Sequence, residues 1–221
     1  MPKLDRFRTD FYLAGGTALA LQIKHRVSVD FDLFSDDPIA ARLLGVVEAV
    51  FATNRRELIV SNADELTVAI DGVKTTCLHC PFPALLPLRY EQQIPLLSVK
   101  EILATKACTI GRRGELKDYV DLYAGLKGEH ATLREIIDLA RRKYADAFND
   151  RLFLEQRLYL DDIPDAPLFF LDRAVSRHDI QRYFSEAISL LRLAAWRTPR
   201  PERRGCLRRS SGLRGRRGGR W

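Results

Sequence analysis

Asp30 and Asp32 stand in a segment that alternates strictly, with Val27, Val29, Phe31 and Leu33 on one side and Ser28, Asp30, Asp32 and Phe34 on the other. The alternation predicts a strand, on which carboxylates at i and i+2 project from one face and can share a divalent cation. Hard oxygen donors suit Mg2+ or Mn2+, and magnesium characteristically joins one or two carboxylates to substrate phosphates. Gly15-Gly16-Thr17 supplies a place for those phosphates. The glycines allow close backbone approach, and a helix opening at Thr17 aims free N–H groups and its positive dipole end at an anion. Taken alone, a Gly-Gly before a helix is a tight turn and an Asp-x-Asp is a solvated strand face. Their closeness along the chain, with Arg26 and Ser28 between them, is what makes them a candidate site.

The elements that must position these residues follow from periodicity and breakers. Phe11 to Ala14 reads as a short apolar strand, Thr17 to His25 as an Ala/Leu-rich helix, and Asp36-Asp37-Pro38 as the start of a helix over 39–51. Leu58–Val60, Leu66–Ile70 and Val73–Leu78 are β-type runs, the last two joined by the hairpin signal Asp71-Gly72. From Ser98 the pattern becomes helical, over 98–110, 115–127, 132–148, 150–160 and 179–195, with Gly128 as a stop. The expected fold is α+β, a mixed sheet with helices followed by a helical C-terminal part. Its expected division is an α/β core over 1–95, a helical part over 96–196 that completes the site, and a basic tail over 197–221.

The motifs together carry a resemblance. Gly15-Gly16-Thr17-Ala18-Leu19, followed by His25-Arg26-Val27-Ser28-Val29-Asp30-Phe31-Asp32-Leu33, resembles the AbiEii/AbiGii toxin family of nucleotidyltransferases, a branch of the DNA polymerase β-like superfamily. A second block, Lys100 to Ala107, then Arg112-Arg113, then Lys117-Asp118-Tyr119-Val120-Asp121-Leu122, is similar to that family's lysine helix, arginine link and acidic helix. The resemblance covers residues 10–127. It implies transfer of a nucleoside monophosphate from an NTP to an acceptor hydroxyl, with tRNA ends as an acceptor, by the toxin of a toxin–antitoxin or phage-defence pair with a cognate antitoxin. It places the metal on Asp30 and Asp32, the nucleotide on Gly15, Gly16, Thr17, Arg26 and Ser28, phosphates on Lys106, and Asp118 near the metals or the acceptor hydroxyl. The chain departs from the superfamily in having no Asp or Glu over 73–80, where a third carboxylate is usual. Either Asp118 completes the site or two carboxylates suffice, while Asp71 is expected to serve its turn. A non-catalytic relative that binds a nucleotide or a partner, or a transferase acting on an antibiotic or a protein, would use the same scaffold.

Composition bounds the remaining readings. The net charge of +7 is concentrated in residues 197–221, where ten arginines face one glutamate; positions 1–196 hold 26 basic and 28 acidic residues, a net of −2. The tail, rich in Arg, Gly, Ser and Pro, is expected to be disordered, and either binds RNA phosphates or is out-of-frame read-through. No run reaches the roughly 20 apolar residues of a membrane helix, and a cytoplasmic protein with reduced cysteines is expected. Cys77-Leu78-His79-Cys80 lacks a second ligand pair for zinc. His25 reads as a helix cap, and no phosphate loop of the Walker type or Gly-x-Ser-x-Gly elbow is present. The aromatic residues are spaced as a core and not as a base-stacking array.

Overall fold

A computed structural model of the chain describes residues 2–90, 94–110, 112, 114–156 and 160–197, with side chains described up to residue 191 in the last helix. Residues 198–221, which hold nearly all of the basic tail, lie outside the described residues, as does Arg113 of the arginine link. After a 3-10 helix over Pro2–Phe7, the first half contains β1 (Tyr12–Ala14), α1 (Gly15–Ile23), β2 (Phe31–Ser35), α2 (Leu43–Val50), β3 (Arg56–Ser61), β4 (Glu65–Ile70) and β5 (Val73–His79). Five further α-helices follow: α3 (Val99–Ile110), α4 (Leu116–Lys127), α5 (Leu133–Tyr144), α6 (Asp150–Gln156) and α7 (Arg177–Arg197). The α+β architecture expected from the periodicities is thus observed.

The strands form one mixed sheet in the order β1-β2-β5-β4-β3, in which only β2 and β5 run parallel. β4 and β5 are joined by Asp71 (φ 51°) and Gly72 (φ 84°), the paired positive φ values of a hairpin turn that follows sheet twist. Asp71 serves that turn, accepting from the Arg55 N–H at 2.8 Å and the Asn54 amide at 2.5 Å, which hold its carboxyl below the ordinary range. One face of the sheet is closed by the N-terminal 3-10 helix and α2, with Leu4, Phe7, Val47 and Phe51 packed on Leu33, Leu66, Val68, Ile70 and Cys77.

The helical half is joined to the sheet by backbone and by packing. Segment 94–97 runs alongside β1, with Leu13 N–H on the Pro95 carbonyl at 2.8 Å and Leu97 N–H on the Leu13 carbonyl at 2.9 Å. α1 packs on α3 and α4, α3 packs on α5, and the buried apolar residues make one cluster running from Leu4 to Ile188. α5 opens with a reciprocal capping box between Thr132 and Glu135. A buried Glu101 accepts from the Leu85 and Leu86 N–H groups and from Lys143 at 2.7 Å, which fixes the 83–86 loop against α3 and α5. Among the described residues no helix is long and apolar enough to cross a membrane.

Several boundaries differ from the periodic reading. The strand predicted over 27–34 begins only at Phe31, and Val27 and Val29 are 43 % and 61 % exposed. The cause is competition for backbone partners. β1 ends at Ala14 opposite Asp32, and the Val27 N–H is taken by the Phe169 carbonyl at 2.7 Å, beside a bridge between Arg26 and Phe170. α1 opens at Gly15 and not Thr17, and its first turn has no side-chain cap. α2 starts at Leu43, after a turn over 41–42. Past α4 the left-handed residue is Glu129 (φ 57°), while Gly128 keeps φ −80°. α5 ends at Tyr144, where Ala145 takes φ 44°.

Candidate active site

The site forms where β1 runs into α1. Gly15 has φ +64°, and the space a Cβ would fill there is occupied by the Asp32 carboxylate. At Gly16 that space lies 2.6 Å from Arg26 Nη2 and 3.1 Å from Ser28 Oγ. The glycines were expected to admit phosphate; in the folded chain they admit the side chains of Asp32 and Arg26 against the start of the helix. Thr17 does not cap α1. Its hydroxyl donates to the Asp30 carbonyl and lies 2.9 Å from Ser28 Oγ, so it ties the 28–30 segment to the first helical turn. Ala14, in the N-cap position, offers no side-chain acceptor, and the N–H groups of the first turn receive no cap.

Gly16 therefore decides where Arg26 can lie. Gly16→Val is expected to displace the guanidinium and to crowd the uncapped N–H groups at the start of α1, weakening NTP binding by about 10-fold or more. Isothermal titration on the folded variant checks this. Unchanged affinity would move the nucleotide away from this turn.

Asp32 is half-buried on β2, opposite Thr76 of β5, and Asp30 lies exposed just before the strand. Burial pushes the Asp32 carboxyl above the ordinary carboxylate range; the nearby Asp30 charge pushes in the same direction, and Lys106 opposes it. The two carboxylates are thus neighbours in a partly desolvated site. Among the described residues no group of three or more His, Cys, Asp or Glu could hold a metal ion, so Asp118 does not complete a three-carboxylate set. The strand face where a third would stand carries Thr76 and Lys74 instead. Cys77, Cys80 and Cys108 are buried free thiols, and burial pushes the Cys77 thiol up to about 12.

Behind the carboxylates lies a buried network contributed by the segment that follows α1 and by α3 and α4. Lys106 on α3 reaches Asp118 Oδ1 at 2.6 Å and Asp121 Oδ2 at 3.1 Å, both on α4. Arg26 grips the same Asp121 with Nε at 2.6 Å and Nη2 at 2.9 Å, and His25 Nε2 meets Asp121 Oδ1 at 2.8 Å. His25 is therefore no helix cap. The end of α1 is closed by Lys24 in the left-handed region, its N–H on the Ala20 carbonyl at 2.9 Å. Burial alone would raise the Asp121 carboxyl, but Lys106 first, then His25 and Arg26, hold it well below the ordinary range. Burial likewise works against the Lys106 charge, and Asp121 and Asp118 outweigh it, leaving the ammonium held in its charged form.

The structure brings Gly15, Gly16, Thr17, Arg26, Ser28, Asp30 and Asp32 together at one helix end and joins Lys106 and Asp118 directly to each other. It binds Arg26 into the interior, 4 % exposed, by way of Asp121. Asp121 itself, fully buried, was quoted in the acidic motif but given no role. The signal for it was its place three residues after Asp118, which puts both carboxylates on the face of α4 that meets α3. Two buried polar atoms have no partner among the described residues, Asp118 Oδ2 and His25 Nδ1.

A short mixed sheet that feeds an uncapped helix beside paired carboxylates, with a lysine helix packed alongside, is the arrangement expected of the nucleotidyltransferase class. The model of one family within that class, described as the nucleotidyl transferase AbiEii toxin of type IV toxin–antitoxin systems, matches residues 3–199, and the chain belongs to it. An uncharacterized protein of Aquifex aeolicus strain VF5, aq_aa25, is 28 % identical over 155 residues, covering 69 % of this chain and 75 % of that protein. Two solved structures share the fold. One is a Helicobacter pylori protein assigned as a nucleotidyltransferase, with TM-score 0.55, 17 % identity, and 89 % and 93 % of the two chains covered. The other is MenT4, a nucleotidyltransferase toxin of Mycobacterium tuberculosis H37Rv, with TM-score 0.52, 18 % identity, and 81 % and 75 % covered.

Proposed function

We propose that this nucleotidyltransferase moves a nucleoside monophosphate from an NTP to the hydroxyl of an RNA acceptor, tRNA ends in particular, and that it acts in the cytoplasm as a toxin restrained by a cognate antitoxin, in phage defence among other settings. The observation that carries the reading is the Asp32 carboxylate set against Gly15 at the uncapped start of α1, with Asp30 beside it. Two like charges in a partly desolvated place suit a divalent cation that is completed by substrate phosphates. Asp30 and Asp32 would hold Mg2+ or Mn2+, which when bound supplies charge neutralisation and orientation at the phosphoryl group.

The chain's own residues do the rest. N–H groups at the start of α1 receive phosphate oxygens, and the helix dipole favours that charge. Lys106 has three N–H donors, two of which are directed at Asp118 and Asp121; the third is left for the substrate, and the ammonium charge already acts on Asp32. Asp118 Oδ2, buried and unpaired, is an acceptor for the proton of an attacking hydroxyl. Pyrophosphate leaves as the acceptor oxygen bonds to the α-phosphorus.

Asp30→Asn and Asp32→Asn should each lower radiolabel transfer from an NTP by at least about 10²-fold with the fold retained by circular dichroism, because each removes a ligand charge from the site. A folded variant with near-normal transfer would refute the assignment of these carboxylates.

A further inference from the structure

Lys74 occupies the strand face on which a third carboxylate would be sought. β5 runs parallel to β2 with Thr76 directly opposite Asp32, so the residues of β5 that share the Asp32 face are Thr76, Leu78 two positions later and Lys74 two positions earlier, of which Lys74 alone is charged. Continued by one pair, the register would set Lys74 level with Asp30. Lys74 is exposed, and among the described residues its ammonium has no recorded ion pair or hydrogen bond. Its charge is nevertheless felt at Asp32, where it opposes the rise in that carboxyl. On its other side β4 offers Ala69, which cannot pair with it.

The charge count is what gives this position its meaning. A carboxylate on β5 would bring the cluster to −3, enough to bind two divalent cations around one triphosphate. With lysine there, the same three positions sum to −1. A second dication would then sit beside an ammonium with one oxygen donor fewer, and both changes disfavour its binding. The lysine can itself provide what a second cation provides to the substrate, a positive charge with N–H donors beside the non-bridging phosphate oxygens.

We propose that Lys74 takes the place of the third carboxylate, so that the site binds a single divalent cation on Asp30 and Asp32 while the Lys74 ammonium holds a phosphate oxygen of the substrate. This rests on the metal reading above. It makes the chain a one-metal, one-lysine variant of a carboxylate-based transfer site, with Lys74 as a direct substrate contact.

The test is Mn2+ stoichiometry, read by electron paramagnetic resonance on the full chain with a non-hydrolysable NTP analogue. Wild-type protein should bind one Mn2+ per chain, and Lys74→Asp should bind two, the restored carboxylate providing the missing ligand. Lys74→Ala should keep one Mn2+ and bind the analogue about 10- to 100-fold more weakly, the range for losing a charged hydrogen bond. Two Mn2+ ions on the wild type, or an unchanged analogue affinity in Lys74→Ala, would overturn the proposal while leaving the Asp30 and Asp32 assignment standing. Failure of wild type to bind Mn2+ with the analogue would overturn that assignment first and this proposal with it. Because Lys74 is exposed, its variants should fold, which melting curves establish before the titrations.

Discussion

Asp121→Asn is expected to destabilise the protein by about 3–5 kcal/mol, the usual cost of removing one partner from a buried ion pair. The magnitude follows from what would be left behind. Asp121 is fully buried, and Arg26, Lys106 and His25 all converge on it within 3.1 Å. A neutral amide would leave two buried cations facing each other across it, and an asparagine can present only one oxygen to donors that now share two. For a chain of this length the loss corresponds to a fall of roughly 6–20 °C in melting temperature. The pH dependence has a definite sign. Because the folded carboxyl lies below its unfolded value of about 3.9, wild type has this stabilisation fully above that pH and loses it as acid approaches the folded value. Urea titrations at pH 7 and pH 3 should therefore show the gap between wild type and variant narrowing in acid. A gap under about 1 kcal/mol at pH 7 would mean that the network is far weaker than its burial suggests.

Asp121 also shows what the amino-acid pattern could and could not reveal. Glycines before a helix, alternating apolar residues and the Asp71-Gly72 hairpin are local signals, set by backbone conformation and side-chain period, and the corresponding elements form, although β2 keeps only the second half of its alternating run. The motif residues from Gly15 to Asp32 were legible for the same reason, since one turn, one short helix and one strand bring them together. What could not be read was partnership across the chain. Arg26 and Ser28 look alike as polar neighbours of the carboxylates, yet the guanidinium turns inward because α4, about 95 residues later, presents Asp121 to it. The strand predicted from Val27 was cut short by a segment more than 140 residues away, which claims the Val27 N–H. Glu101 and Lys143 carry no sequence signal that sets them apart from other charges on helices. They are buried because the 83–86 loop needs an acceptor for its N–H groups, and no periodicity announces that.

Lys106→Ala and Asp118→Asn should fail differently, although the two side chains touch at 2.6 Å. If Lys106 holds a phosphate with the donor not taken by α4, its removal weakens the ground-state complex as well as the reaction. Nucleotide affinity and transfer should both fall. Asp118 meets the lysine through Oδ1 and keeps Oδ2 buried without a partner among the described residues, and Oδ2 is the oxygen that the proposal assigns to the acceptor hydroxyl. Asn at this position retains shape and one acceptor oxygen for Lys106 but cannot take a proton. Nucleotide affinity should then stay within about three-fold of wild type, while transfer falls by about 10²–10⁴-fold, the range for a general base or the group that orients the nucleophile. Both values come from one preparation: isothermal titration with a non-hydrolysable NTP analogue, and radiolabel transfer to total RNA. Protein stability must be followed in parallel, because Lys106→Ala also leaves Asp118 and Asp121 with one cation fewer. Equal losses of affinity in both variants would reduce the pair to a structural clamp between α3 and α4. Loss of transfer confined to Asp118→Asn would instead remove Lys106 from the reaction.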